Sequence, residues 1–240
     1  VNVLCHRDSI FSEFYLAPYN QYAQEIISDS SNLYLFEPEL IFLVLDYQSF
    51  FGDLFWNPYS LSPEQRESII TEKFKEISNL LYILKSRTKA KIVINNSVVP
   101  TFSSRGIFES KEPDGIRNLI YEFNKSLNDL FATESQIFVY DFLAFAISEG
   151  MKKLTNEKLY YLADMRISPE SLINLGQQFM GYIYPLLSLT KKCIVLDLDN
   201  TLWGGVIGED GIDNINLGPE KEGQPFLDFQ KILLDYFNRG

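Results

Sequence analysis

Four short apolar runs, each closing on Asp or Asn and each followed by a helical pattern, restrict this chain more than any other feature. They are residues 40–45 (LIFLVL) ending at Asp46, 91–95 (KIVIN) continued by Asn96, 137–140 (IFVY) ending at Asp141, and 193–196 (CIVL) ending at Asp197. Apolar runs of this length between polar residues read as buried strands of a parallel sheet. The segments between them carry the helical period. Ser62 to Gln65 is a capping-box pattern with Pro63 at the first helical position. The helix it opens spaces Ile69, Ile70, Phe74, Ile77, Leu81 and Leu84 three and four apart. Residues 116–131 repeat this with Leu119, Ile120, Phe123, Leu127 and Leu130, and Ser168-Pro169-Glu170 caps a helix running toward Leu187. Residues 19–27 have helical character, and residues 11–17 alternate and read as a further strand. Strands alternating with helices predict an α/β fold, with a parallel, doubly wound sheet in three layers. That domain spans 1–189; a polar joint at 188–192 leads to a second segment, 190–240.

Composition narrows the function classes. At 240 residues, with 46% apolar and 15% aromatic content, the chain can bury a large core and is not disordered. A net charge of −11 argues against a nucleic-acid partner, since phosphate contacts need clustered Lys and Arg. The basic dipeptides are Lys152-Lys153 and Lys191-Lys192. No run of eighteen apolar residues is present, so no membrane span is expected. His6, Arg7 and Asp8 interrupt any signal-peptide pattern, and the two cysteines, Cys5 and Cys193, lie far apart. A cytoplasmic protein without disulfides is the expectation.

The fourth run carries the chemistry. Carboxyl ends of parallel strands are where open α/β sheets bind ligands, and there Asp197-Leu198-Asp199-Asn200-Thr201 stands. Extended backbone repeats every two residues, so Asp197 and Asp199 can face one pocket. Two adjacent carboxylates repel, and a divalent cation relieves that repulsion. Glycines flanking Val206-Ile207 suggest a small hairpin flap beyond them. Residues 225–238 form an amphipathic helix through Phe226, Phe229, Ile232, Leu233 and Phe237, with Gly240 at a C-cap position.

Asp197 to Thr201 resembles the first motif of the haloacid dehalogenase (HAD) superfamily of phosphohydrolases and phosphotransferases. The longer stretch 195–211, VLDLDNTLWGGVIGEDG, is similar to the FkbH-like subfamily. Members of that subfamily dephosphorylate phosphoglyceryl-type substrates and load glyceryl units onto acyl carrier proteins. The resemblance implies an aspartyl-phosphate mechanism on a small phosphorylated metabolite, with an acyl carrier protein as partner in the glyceryl-loading alternative; the acidic charge fits that alternative less well. Asp197 is then the nucleophile, and Asp199 the group that protonates the leaving oxygen and later activates water. Mg²⁺ is the implied cofactor, held by the Asp197 carboxylate and the Asp199 carbonyl. Leu198, Asp199 and Thr201 meet the phosphate, and Trp203, Gly204 and Gly205 belong to a flap over the site. A HAD core needs further strands, a Lys and more acidic residues, so 190–240 reads as the truncated start of a Rossmann-like HAD domain. A non-catalytic binding module is the rival reading.

Residues 1–189 resemble, more weakly, the SGNH-hydrolase fold. That fold's ester chemistry needs a nucleophilic Ser and a late Asp-x-x-His. Here residues 164–169 read DMRISP, with Ile167 where the His belongs, and the single histidine of the chain is His6. The resemblance thus implies a domain that kept its fold and lost its hydrolase chemistry. Polar residues at its strand ends are Asp46, Asn95, Asn96 and Asp141, and residues 50–56 (FFGDLFW) read as a hydrophobic loop beneath it.

Overall fold

A computed structural model describes residues 1–239. Two units, Val1–Leu189 and Thr190–Gly240, divide the chain. In chain order the first holds α1 (Asn2–Arg7), α2 (Tyr22–Ile27), α3 (Asn32–Leu35), β1 (Leu40–Leu43), α4 (Tyr47–Phe51), α5 (Asp53–Trp56) and α6 (Pro63–Arg87). There follow β2 (Lys91–Asn95), α7 (Ile116–Phe131), β3 (Ile137–Tyr140), α8 (Phe142–Glu149), α9 (Met151–Leu154), α10 (Glu157–Ala163) and α11 (Pro169–Leu186). The capping box at the start of α6 forms as the sequence predicts: Ser62 Oγ accepts from Gln65 N, and Gln65 Oε1 accepts from Ser62 N at 2.8 Å.

The three strands form a parallel sheet in the order β1-β2-β3, with Ile41 opposite Ile92 and Ile92 opposite Ile137. Pleating sends alternate residues to opposite faces. Ile41, Leu43, Ile92, Ile94, Ile137 and Val139 pack with Ile77, Leu81 and Leu84 of α6 and Ile120, Phe123 and Leu127 of α7. On the other face Phe42, Val93, Phe138 and Tyr140 meet Phe145, Leu154, Leu175 and Phe179, from α8, α9 and α11. Helices therefore cover both faces. Among the described strands the order never reverses, however, so the expected double winding is corrected. Right-handed crossovers between strands in sequential order place α6 and α7 on one face. The opposite face is covered by helices that follow β3.

Other local expectations also change. Residues 11–17 form no strand, and Phe11 is 97% exposed. Alternation makes a strand only where an edge is free to pair, and left-handed residues Ser9 and Asn20 bracket this segment. β1 ends at Leu43, two residues before the apolar run does. Beyond it a side chain replaces the ladder: Leu45 N donates to Asn95 Oδ1 at 2.7 Å, and Asn95 Nδ2 donates to the Leu45 carbonyl at 3.0 Å. Residues 50–56 contribute to two short helices. Phe50, Phe51 and Leu54 are buried there, with the Phe51 and Phe123 rings edge to face at 5.1 Å.

In the second unit the expected buried strand is absent. Residues 193–196 pair with no other strand; Val195 is 90% exposed and Cys193 lies at the surface. Strand backbone needs partners for its N–H and C=O groups, and no described segment of this unit supplies them. The elements that do form are α12 (Ile207–Asp210) and α13 (Gln224–Arg239). The C-cap expected at Gly240 lies outside the described residues. Among the described residues no helix is long and apolar enough to cross a membrane.

Phe123 is 1% exposed and touches the rings of Tyr47, Phe51 and Phe74. Phe123→Ala is expected to lower unfolding free energy by about 3–5 kcal/mol in urea titration, and Phe11→Ala by less than about 0.5 kcal/mol.

Candidate functional site

At the carboxyl edge of the sheet, each polar residue singled out by the sequence satisfies backbone or an ionic partner. Asp46 caps α4, accepting from Gln48 N at 3.2 Å and Ser49 Oγ at 2.7 Å. Asn96 donates to Asp141 Oδ1 at 2.8 Å and accepts from Leu143 N at 2.9 Å, while Asp141 caps α8 through Ala144 N. Asn95 holds Leu45 and also receives Tyr47 Oη on its own carbonyl at 2.8 Å. Burial pushes the Tyr47 phenol far above its usual value, so it remains a neutral donor.

Sequence reasoning missed Arg166. Its guanidinium lies 3.1 Å from Asp46 and 2.6 Å from Asp164, and stacks over Tyr160 at 4.4 Å. Burial works against its charge, but Asp46 and the phenols of Tyr19 and Tyr160 hold its pKa above the ordinary value. Two carboxylates already neutralise this one cation. Ile167, beside it, packs into the apolar layer under α11. His6 is exposed on α1. No signal in the sequence marked Arg166 apart from its place in the 164–169 stretch.

The second unit builds its site from turns. Asn200 adopts the left-handed conformation at φ 55°, and backbone bonds from Thr201 N (3.2 Å) and Leu202 N (2.9 Å) to the Leu198 carbonyl close a turn. Asp197 is exposed, and its Oδ1 accepts from Leu198 N at 2.9 Å. That N–H, expected at a phosphate, is occupied by its neighbour's own carboxylate. Asp199 is half-buried. Its Oδ1 accepts from Trp203 Nε1 at 3.0 Å and from Ile207 N at 3.3 Å. The extended 197–199 geometry expected from a strand is thus replaced by a turn that gives the two carboxylates different surroundings.

The loop over these residues is pinned at several points. Gly204 and Asn216 exchange backbone bonds of 3.0 and 2.8 Å. Gly205, at φ 100°, donates to Asn200 Oδ1 at 2.9 Å, and Val206 N donates to Asp210 Oδ2 at 2.8 Å. From α13, Gln230 Nε2 reaches the Leu202 carbonyl at 2.6 Å. The expected hairpin at Val206-Ile207 is corrected to the short helix α12, because the Asp210 carboxylate folds back onto its first turn. The antiparallel contact that does form lies further out, between Gly204 and Asn216.

Among the described residues no three His, Cys, Asp or Glu side chains gather as a metal cluster. Asp197 and Asp199 nevertheless supply hard oxygen donors. Magnesium characteristically takes one or two carboxylates together with substrate phosphates and waters. The donor set fits Mg²⁺ in kind. A cleft of this unit, about 380 Å³, is lined by residues 215–223 and includes neither aspartate.

Comparison with known proteins places the first unit. The FkbH N-terminal domain family matches residues 6–183. The chain belongs to that family. No curated relative matches it. Among solved structures, the chain is similar to the N-terminal part of BF1531 from Bacteroides fragilis, described as containing a phosphatase domain complexed with Mg. The TM-score is 0.78 at 22% identity, over 95% of this chain and 59% of that one. This FkbH-family chain thus spans less than two thirds of its structural neighbour, with which it shares a fold.

A Cβ added to Gly204 would lie 2.9 Å from the Phe226 ring and 3.1 Å from Asn216 Cβ. Gly204→Ala is expected to weaken the pinned loop by about 1–3 kcal/mol, read as faster amide exchange across residues 199–216. Gly208→Ala, which meets open space, should leave that exchange unchanged.

Proposed function

We propose that this chain is the N-terminal part of an FkbH-like, Mg²⁺-dependent phosphatase or phosphotransferase of the HAD type, acting on a small phosphorylated metabolite. The observation that carries this reading is Asp197-x-Asp199-x-Thr201 directly after an apolar run. The neighbour's phosphatase domain and bound Mg support it. Residues 190–240 are the opening of the HAD domain. The first unit is an SGNH-like domain without ester chemistry, since Ile167 cannot take a proton and His6 sits on a surface helix.

Asp197 is the nucleophile. One of its oxygens bonds to phosphorus as the bond to the leaving oxygen breaks, giving an aspartyl phosphate. Asp199 delivers a proton to that leaving oxygen, and then takes one from the water that hydrolyses the acyl phosphate. Asp197 and the Asp199 carbonyl would hold Mg²⁺, which screens charge between nucleophile and phosphate and polarises phosphoryl oxygens. Thr201 steadies the turn.

In the full-length protein, Asp197→Asn is expected to lower phosphate release from small phosphate monoesters by about 10³-fold or more in a malachite-green assay. Chelation with EDTA should suppress the wild-type rate. Release that Asp197→Asn leaves intact would overturn the assignment.

A further inference from the structure

Trp203 has a role that the motif does not assign. Its indole N–H donates to Asp199 Oδ1 at 3.0 Å, and the Ile207 backbone N–H donates to the same oxygen at 3.3 Å. Both donors converge on one oxygen of the carboxyl group. When that group is protonated, one oxygen carries the O–H and the other is a carbonyl acceptor. Two N–H donors on Oδ1 require Oδ1 to be the acceptor. Oδ2 is left free of both donors.

The indole is itself well fixed. Its chain neighbour Leu202 is tied to α13 by Gln230 at 2.6 Å, and its other neighbour Gly204 is paired with Asn216 in both directions. Asp199 and Trp203 also form an isolated parallel bridge, so the backbones at the two ends of the side-chain bond lie side by side. A half-buried indole N–H commonly finds some acceptor. Here the acceptor is the one carboxylate of the motif that must choose which oxygen to protonate.

We infer that Trp203 is a positioning residue for Asp199, holding Oδ1 so that Oδ2 presents the proton to the leaving oxygen. The inference rests on the phosphoryl-transfer reading above. It requires no new step: the phosphorus–oxygen bond breaks with its electron pair on the leaving oxygen, and the Asp199 Oδ2 proton moves there.

Leaving-group dependence tests it. An alkyl phosphate needs its leaving oxygen protonated, whereas p-nitrophenolate departs largely without help. In the full-length enzyme with Mg²⁺, Trp203→Phe, which keeps an aromatic ring and removes the donor, should lower kcat on an alkyl phosphate by about 10- to 100-fold. On p-nitrophenyl phosphate the loss should be only a few-fold, with KM for both esters changing little. The ratio of the two rates cancels any difference in the amount of folded enzyme. Replacing Trp203 by benzothienylalanine, in which sulfur stands for the indole N–H in a ring of the same shape, should reproduce the same ratio. Equal losses on both esters, or none, would overturn the positioning role while leaving Asp197 chemistry standing. No phosphate released from either ester by the wild type would remove the underlying reading as well.

Discussion

A parallel strand has to pair its backbone along its edges and bury its side chains on both faces. That double requirement governs both units of this chain. In the first it is met: β1, β2 and β3 pair in sequence order between α6 and α7 on one side and α8, α9 and α11 on the other. In the second it is not, and residues 193–196, though apolar, stay unpaired and exposed. Apolar content nominates a strand, but partners make one.

This explains how much of the fold was legible. β2, β3 and α7 lie where their patterns put them, because each combines a clean period with local caps or polar stops. The start of α6 was fixed by Ser62 and Gln65, both local to the chain. Residues 11–17 and 193–196 failed for a shared reason: whether a strand pairs depends on segments elsewhere. The short helices α1, α4 and α8 escaped notice because pieces of five to eight residues carry too little periodicity to stand out. Double winding failed at a higher level still, since strand order cannot be read from the strands themselves.

The candidate site divides along similar lines. The sequence nominates its residues, because Asp197, Asp199 and Thr201 occur within five residues. Their surroundings were not. That Leu198 N would turn onto Asp197, or the Trp203 indole onto Asp199, follows from the left-handed turn at Asn200 and the Gly204–Asn216 pair. Arg166 is a parallel case in the first unit. Its partner Asp46 lies far earlier in the chain, and only the fold brings the two together.

The acyl phosphate itself is the most direct witness to the chemistry assigned to position 197. Borohydride reduction of the full-length protein during turnover with Mg²⁺ and a phosphomonoester converts an aspartyl phosphate to homoserine, which peptide mass spectrometry locates. The account predicts homoserine at residue 197, dependent on substrate and lost with chelation of the metal. Steady phosphate release with residue 197 unreduced, or with the label on another carboxylate, would contradict it.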